Sequence, residues 1–312
     1  MSLTTEQRRR NARKSLAGLS VGDAFGERFF THPGVAIQLI ASRAVPAPPW
    51  GYTDDTVMAQ SIVDVLVQRS RIDRDLLAEL FGARYVLDPR RGYGGTAHEI
   101  LNRIALGEPW REVACSVFGG RGSMGNGGAM RAAPIGAYFA DDPRAATDAA
   151  RHSAEVTHAH PEGQAGAIAV AIAAAWAASD GQDARDLFET VLAHTPAGTT
   201  RAGIECAARL SLDVEPAVAG AKLGNGSQVI AEDTVPFCIW LVARHLGQFE
   251  EAMWATVSAL GDRDTTCAIV GGIVALEPGA TIPPEWLAAR EPLAHVARSL
   301  LPERFRDPAS GT

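Results

Sequence analysis

Alanine, more than any other residue, restricts the folds that this chain can adopt. It occurs 55 times in 312 residues, and it has the highest intrinsic helix propensity of the amino acids. The alanines recur within segments where apolar residues return every three to four positions, which is the spacing of one helix face. Convincing alternation of apolar and polar residues is rare, and no two such stretches are joined by hairpin turn signals. The sequence therefore predicts an all-α fold with no sheet of consequence.

Helical periodicity covers most of the chain. The predicted helices are 5–20, 53–69, 73–87, 95–106, 143–157, 161–178, 183–194, 200–212, 232–246, 249–260 and 264–276. Pro- and Gly-rich connections separate them, and none is long enough to be a domain linker. We therefore expect a compact, orthogonal multi-helix bundle that forms a single domain over residues 1–312, with a C-terminal helical extension to about residue 305.

Charge and apolar patterning exclude several classes of protein. The 36 acidic residues outnumber the 29 basic ones, for a formal charge of −7, and the longest basic run is only three arginines, 8–10. Such a surface offers no patch for nucleic acid or for an anionic membrane. The longest apolar stretch, 165–178, is too short to span a bilayer and predicts a buried helix.

Cysteine usage and the N-terminal residues indicate the compartment. The four cysteines are far apart and include no Cys-x-x-Cys pair, which argues against a disulfide framework and against a zinc site. The first residues carry charges with no apolar stretch after them, unlike a secretory signal. We therefore expect a cytoplasmic protein.

Two predicted helices begin with a pair of carboxylates beside a threonine, one near residue 54 and one near residue 263. Each start alone has a structural explanation, because Asp and Thr are favoured helix caps and acids complement the helix dipole. Two such starts placed together would repel each other unless a cation neutralised them. Hard oxygen ligands suit Mg²⁺, Mn²⁺ or Ca²⁺, and six of them would hold a pair of metals that share a carboxylate. The candidate ligands are Thr53, Asp54, Asp55, Asp262, Asp264 and Thr265.

A third helix start is similar in composition but different in context. Glu232 and Asp233 open a helix that carries Pro236 in its first turn. Proline is well placed there for structural reasons, so we interpret these acids as helix caps.

A glycine-rich loop, GGRGSMGNGGAM (119–130), precedes a helix-like segment. Such a loop lets backbone amides approach an anionic or polyhydroxyl ligand, although the same composition also describes a flexible turn. It matches neither a Walker motif nor a dinucleotide-binding fingerprint.

Two histidines precede a proline at 161, in THAHPE. The His-x-His spacing places the rings of His158 and His160 on different faces of a helix, which disfavours a zinc site. A hydrogen-bonding histidine in a ligand pocket is a better interpretation, with a structural histidine as the alternative.

Together these segments resemble the ADP-ribosylglycohydrolase family, which includes bacterial dinitrogenase-reductase-activating and vertebrate ADP-ribosyl-hydrolase branches. The matching segments lie in family order over roughly residues 16–276. They are GLSVGDAFG (18–26), YTDDT (52–56), GYGGTA (92–97), GNGGAMR (125–131), THAHPEG (157–163), GNGSQVIAEDTVP (224–236) and GDRDTTCAIVGGI (261–273).

The resemblance implies an all-α fold with a binuclear Mg²⁺ or Mn²⁺ site in a cleft, held by the six ligands named above. It implies catalysis by Asp54 and Asp55 at the metals and hydrolysis of an N- or O-glycosidic bond at C1 of the distal ribose. The products would be ADP-ribose and a side chain or small molecule freed of its modification. The residues implied to bind the substrate are Ser123, Met124, Gly125, Asn126, Gly127 and His158.

One position departs from the family pattern. The family usually reads GDALGxxxE, with a glutamate seven residues after the aspartate, but here Phe30 lies seven residues after Asp23. A phenyl ring neither ligates a metal nor transfers a proton. Glu27, four residues after Asp23, is the candidate catalytic replacement. The alternative is a catalytically silent member that binds ADP-ribose or a protein partner.

Overall fold

Helices form wherever the alanine-rich periodicity predicts them. The computed structural model describes residues 2–179 and 183–293. Over these two stretches the chain forms sixteen α-helices, one 3₁₀ turn and no β-strand, so the all-α prediction is confirmed. The first eight helices are α1 Thr5–Glu27, α2 Pro33–Ala41, α3 Asp54–Arg69, α4 Arg74–Leu87, α5 Gly95–Ala105, α6 Trp110–Gly120, α7 Ala133–Tyr138 and α8 Pro143–Glu155. The other eight are α9 Pro161–Ala178, α10 Ala184–His194, α11 Thr199–Arg209, α12 Pro216–Leu223, α13 Ala231–Arg244, α14 Phe249–Ser258, α15 Arg263–Val274 and α16 Pro284–Ala289.

Helix α7 lies in the helix-like segment after the glycine-rich loop, and four other short helices, α2, α6, α12 and α16, have no counterpart in the sequence prediction. Helix α2 buries only Ala36, so it has no apolar stripe of the kind that periodicity detects. Helices α12 and α16 begin at a proline, which a sequence pattern marks as a break. Helix α6 is interrupted by non-helical backbone at Val117, Phe118 and Gly119.

Helix α9 lies at the centre of the protein, as its composition predicts. Its side chains are buried on every face, from Ala165 to Ala177. Because most of them are alanines, the neighbouring helices α7, α8, α10 and α13 can pack closely around it. The buried apolar residues from Ala12 in α1 to Ala289 in α16 form one contiguous cluster. The predicted helical extension beyond Leu293 lies outside the described residues.

Helix α1 extends seven residues beyond its predicted end, through the GLSVGDAFG segment, because its glycines pack against α15. A Cβ atom on Gly22 would lie 2.1 Å from the backbone oxygen of Cys267, and one on Gly26 would lie 2.2 Å from that of Arg263. Gly18 meets Gly271 in the same way. Only glycine permits this backbone contact. The contact places Asp23 of α1 beside the acidic start of α15.

The remaining global features concern membranes and cysteines. Across the part of the chain that the structure describes, no helix is both long and apolar enough to cross a membrane. All four cysteines are free; Cys238 and Cys267 are buried, and Cys115 and Cys206 are exposed.

Candidate active site

The two acidic helix starts meet in the wall of a cleft of about 850 Å³. Asp54 and Asp55 begin α3, and Asp262 and Asp264 flank the start of α15. The hydroxyl oxygen of Thr265 lies 3.5 Å from Oδ1 of Asp55, although the two residues are 210 positions apart. The condition that makes these starts a candidate metal centre, their proximity in space, is therefore met.

Asp23 holds the first turn of α3 in place. Its two carboxylate oxygens accept hydrogen bonds from the backbone N–H groups of Thr53 and Thr56, at 3.0–3.1 Å. They also accept from the hydroxyls of Thr53 at 2.9 Å and Thr56 at 2.5 Å. Donors from α3 thus occupy the lone pairs of Asp23, whose role is to position Asp54 and Asp55.

The carboxylates of the cluster raise one another's pKa. Burial raises the pKa of both Asp54 and Asp55 well above the usual value, and the charge on Asp264 raises them further. Burial also raises the pKa of Asp262 to about 8 and that of Asp264 to about 6. A buried group of like charges is costly, so this cluster either retains protons or binds a cation.

The donor atoms fit a hard divalent cation. Oδ2 of Asp55 and Oδ1 of Asp264 are buried and have no hydrogen-bond partner within residues 2–179 and 183–293. One carboxylate oxygen of Asp55 and one of Asp264 lie within 4.8 Å of each other, and an oxygen of Asp23, which α3 already engages, lies within the same distance of both. Buried, unpartnered carboxylate oxygens are costly unless something completes their coordination, and an all-oxygen set suits Mg²⁺ or Mn²⁺.

Thr53 is placed differently from the other candidate ligands. It is the N-cap of α3, and its hydroxyl accepts from the backbone N–H of Asp55 at 3.3 Å while donating to Asp23. It does not line the cleft, whereas Asp54, Asp55, Asp262, Asp264 and Thr265 all do. The hydroxyl oxygen of Thr53 keeps one lone pair that could bind a cation.

The glycine-rich loop forms a second wall of the same cleft. The backbone N–H of Asn126 donates to the carbonyl of Val229, and Ala231 donates to the carbonyl of Met124. The side chain of Asn126 donates to Oδ2 of Asp262 at 2.8 Å and to Thr234 at 3.1 Å. The loop is therefore tied directly to the acidic cluster. The predicted binding residues that line the cleft are Ser123, Met124, Gly125, Asn126, Gly127 and His158.

Buried polar contacts fix the protonation of His158. The fully buried guanidinium of Arg131 donates to the hydroxyl of Thr157 at 2.9 Å. That hydroxyl lies 2.7 Å from Nδ1 of His158, and among the described residues this ring nitrogen is the one acceptor within reach of its O–H, so the hydroxyl donates to it. Burial and the charge of Arg131 lower the pKa of His158 to about 3. The ring is therefore neutral, with its proton on Nε2, close to Gly125 and Gly127.

His160 has a structural role instead. It is the N-cap of α9, and its Nδ1 accepts from the backbone N–H of Glu162 at 3.1 Å. The carboxylate of Glu162 in turn accepts from the backbone N–H groups of Thr199 and Thr200 at the start of α11.

The rim of the cleft near α15 carries Glu27 and Phe30. Glu27 ends α1 and lines the cleft at an exposed position. Partial burial raises the pKa of its carboxyl above the usual value, while the charges of Arg28 and Arg263 lower it. The guanidinium of Arg263 lies 4.3 Å from the centre of the Phe30 ring. The position where the family pattern predicts an acid is thus occupied by an aromatic ring next to an arginine.

The capping interpretation of the Glu232–Asp233 helix start is wrong. The N-cap of α13 is Ile230, and no side chain caps it. Asp233 instead accepts from the backbone and side-chain amides of Gln228, at 2.9 and 3.1 Å, and so fixes the segment that precedes the helix. That segment lines the cleft, which gives the acid a role that its composition alone does not reveal.

Sequence reasoning missed four residues that shape the site: Arg131, Thr157, Thr234 and Phe118. Arg131 is a lone charge in an apolar segment, and that pattern is a usable signal of a buried functional group. Phe118 gives no such signal. It adopts a left-handed backbone conformation (φ 52°) and presents a 53% exposed ring to the cleft. Strain of this kind concentrates at functional sites.

The sequence model of the ADP-ribosylglycohydrolase family matches residues 4–309, nearly the whole chain. The chain belongs to the ADP-ribosylglycohydrolase family. Residues from both acidic starts and from the glycine-rich loop lie within that match.

Individual proteins resemble this chain over most of its length. ADP-ribosylhydrolase ARH3 of Homo sapiens is 27% identical over 88% of this chain and 87% of its own length. An uncharacterized protein of Archaeoglobus fulgidus is 30% identical over 92% of this chain and 95% of its own. A solved structure titled ADP-ribosylglycohydrolase-related protein complex superposes with a TM-score of 0.66 at 24% identity, covering 92% of this chain and 94% of that one. The superposition supports the shared fold.

Proposed function

We propose that this protein is a metal-dependent hydrolase that releases ADP-ribose from a modified side chain or small molecule. One observation carries the proposal: two distant acidic helix starts meet in a cleft, where one buried oxygen of Asp55 and one of Asp264 have no partner among the described residues. Relatives named as ADP-ribosylhydrolases support the substrate class. The free cysteines support a reducing compartment, and we propose the cytoplasm.

The cluster residues would hold two divalent cations, Mg²⁺ or Mn²⁺. The proposed ligands are Thr53, Asp54, Asp55, Asp262, Asp264 and Thr265. Bound cations would neutralise the carboxylates, hold the ribose hydroxyls and increase the acidity of a water molecule. Asp23 would keep the α3 ligands aimed at the site through its hydrogen bonds to Thr53 and Thr56.

The glycine-rich wall would bind the diphosphate and the distal ribose. The backbone N–H groups of Ser123, Met124 and Gly127 would bind the anionic ligand. Gly125 and Asn126 would shape the wall instead, because their N–H groups already donate to Ser123 and Val229. His158 would add one neutral Nε2–H donor, because Thr157 fixes its tautomer. The exposed Phe118 ring offers a stacking surface at the same cleft.

The proposed reaction is hydrolysis at C1 of the distal ribose. The bond from C1 to the acceptor atom breaks, the oxygen of water bonds to C1, and one proton of that water moves to the acceptor. Asp54 and Asp55 would orient the attacking water at the metals. Glu27 would transfer the proton, since a raised pKa suits a carboxyl for this task near neutral pH.

The test is release of free ADP-ribose from substrates that carry it on arginine, on serine or on a small molecule. We expect release with Mg²⁺ or Mn²⁺, loss of release with a chelator, and loss in Asp55→Asn. The exposed carboxylate variant Asp148→Asn serves as the matched control and should retain activity. A folded wild-type protein that turns over no substrate would contradict the proposal.

One observation favours a second candidate function, a silent ADP-ribose-binding member of the family. Phe30 supplies no carboxylate where the family pattern has one, and Glu27 is exposed at the end of α1. Calorimetry separates the two functions, because tight ADP-ribose binding without any hydrolysis supports the silent member. Loss of hydrolysis in Glu27→Gln, with ADP-ribose affinity retained, supports the enzyme.

A further inference from the structure

A short loop packs against the start of α3, beside the proposed ligand Asp54. The backbone N–H of Asp54 donates to the carbonyl of Arg91 at 2.6 Å. The first N–H groups of a helix have no partner within the helix, so this carbonyl caps the turn that carries Asp54. Gly92 follows with a left-handed backbone (φ 88°), and a Cβ atom there would lie 3.5 Å from Oδ1 of Asp54. The loop at Arg91 and Gly92 is therefore the wall beside the Asp54 carboxylate.

The side chain of Arg91 holds this loop in place. Its Nη1 donates to the carbonyl of Tyr52 at 3.0 Å, and its Nε forms an ion pair with Asp88 at 3.0 Å. The guanidinium also lies 4.7 Å from the centre of the Tyr52 ring. A planar guanidinium that is stacked and bonded in this way has a fixed position. The carbonyl that caps α3 thus depends on the partners of its own side chain.

Glu291 joins Arg91 to the segment before α3. Its Oε1 accepts from Nη1 of Arg91 and, at 3.0 Å, from the backbone N–H of Tyr52, 239 positions earlier in the chain. The backbone N–H of Glu291 donates to the carbonyl of Trp50 at 2.9 Å, and the N–H of Trp50 donates to the carbonyl of Ala289 at 2.7 Å. These bonds fix the position of Glu291. One carboxylate oxygen therefore joins the two segments that contact the start of α3.

We propose that Glu291 is a positioning residue for the cation site and acts on Asp54 through Arg91. This inference rests on the proposed function. Neither Glu291 nor Arg91 lines the cleft, so their effect on a bound cation passes through the start of α3. A carboxylate that can turn away from the site binds a cation less tightly, and partners that orient a ligand are typically worth about 10- to 100-fold in metal affinity.

The experiment measures the Mn²⁺ affinity of the full chain by calorimetry and records the electron paramagnetic resonance spectrum of the bound ion. We expect Glu291→Ala to weaken Mn²⁺ binding by about tenfold and to broaden the spectrum, because Asp54 then adopts more than one orientation. Glu291→Gln keeps an oxygen acceptor and loses the charge, so its affinity should stay within about threefold of the wild type. Arg91→Ala should match Glu291→Ala. The double variant should lose little more than either single variant, because both side chains act on the same carbonyl.

The matched control is Glu251→Ala, which removes another Arg–Glu pair. Glu251 accepts from Arg43 at 2.5 and 2.6 Å and does not line the cleft, so this variant should bind Mn²⁺ as the wild type does. The side chains of Arg91 and Glu291 are 25% and 28% exposed, so their substitution leaves the core intact, which thermal denaturation checks. Unchanged affinity in Glu291→Ala, or losses that add in the double variant, overturns this inference and leaves the proposed function standing. If the wild type binds neither Mn²⁺ nor Mg²⁺, the proposed cation site is wrong and this inference falls with it.

Discussion

The side-chain amide of Asn126 donates a hydrogen bond to the carboxylate of Asp262 at 2.8 Å, across 136 positions of sequence. This bond joins the loop proposed to bind the diphosphate to the carboxylates proposed to bind metal. Thr234 accepts from the same amide nitrogen while it donates to the carbonyl of Ile230, so the orientation of the amide is determined by its partners. Asn126 therefore has a second role beyond lining the cleft, as a positioning residue for Asp262.

Asn126→Ala is expected to weaken cation binding. Partners that orient a metal ligand are typically worth about 10- to 100-fold in metal affinity, and we expect a loss in that range for Mn²⁺ measured by calorimetry. The exposed variant Asn102→Ala is the control and should bind as the wild type does. Unaltered Mn²⁺ affinity in Asn126→Ala would show that Asp262 keeps its orientation without the amide.

Thr157→Val tests the fixed tautomer of His158. The substitution removes the hydroxyl between Arg131 and the ring, so the proton is no longer confined to Nε2. It also leaves a buried guanidinium donor unpaired, which costs roughly 1–3 kcal/mol of stability. We expect ADP-ribose affinity to fall by about tenfold, in line with the loss of one such hydrogen bond.

The readout specific to the tautomer is the ¹⁵N chemical shift of the His158 ring nitrogens. In the wild type they should show protonation at Nε2 at every pH between 5 and 8, since the pKa is lowered to about 3. Thr157→Ser keeps the hydroxyl and should restore both the shifts and the affinity. A wild-type spectrum in which Nδ1 carries the proton would rule out the assigned direction of the hydrogen bond.

The sequence predicted the all-α class and the positions of the long helices, because a buried stripe on a helix repeats with the helical period. It could not predict α2, which buries a single residue, or α6, whose backbone is interrupted at Phe118. The sequence prediction ends α1 seven residues too early for a related reason. Three glycines that normally weaken a helix are tolerated there, since they allow backbone contact with α15.

The candidate site was predictable where the motif residues themselves line the cleft, as Asp54, Asp264 and Asn126 do. Their supporting contacts were not predictable, because they depend on which distant segments meet. Asp233 resembles a helix cap in the sequence and becomes an anchor for Gln228 only after folding. Arg131 belongs to a motif, but its interaction with Thr157 requires the packing of α8 beside the loop.

Asp264→Asn tests the cluster as a cation site. A ligand that binds only the folded state adds about 2.7 kcal/mol at a concentration 100 times its Kd. For a chain of this length we expect a rise in Tm of several degrees when Mn²⁺ is added to the wild type. The variant replaces a carboxylate of which one buried oxygen has no partner within residues 2–179 and 183–293, so that rise should disappear.

The control for this measurement is Asp148→Asn, which removes an exposed carboxylate that is paired with Arg151. It should keep the full response to Mn²⁺. If neither Mg²⁺ nor Mn²⁺ changes the Tm of the wild type, the cluster does not bind these cations in the folded protein, and the metal ligands proposed above are wrong.

Glu277, outside the cleft lining, makes stability depend on pH. It is 1% exposed, one carboxylate oxygen accepts from the backbone N–H of Gly247, and burial raises its pKa to about 8. The folded state therefore holds this proton more tightly than the unfolded state, so its contribution to stability is present at low pH and declines as the pH rises from about 4.5 to 8.

Glu277→Gln removes the titration. Denaturant unfolding should find the variant close to the wild type at pH 5 and more stable by on the order of 3 kcal/mol above pH 8. The acidic cluster is common to both proteins, so its own pH dependence cancels in the difference. The exposed variant Glu285→Gln should show no such divergence, and a constant difference across pH in Glu277→Gln would mean that Glu277 is ionised throughout.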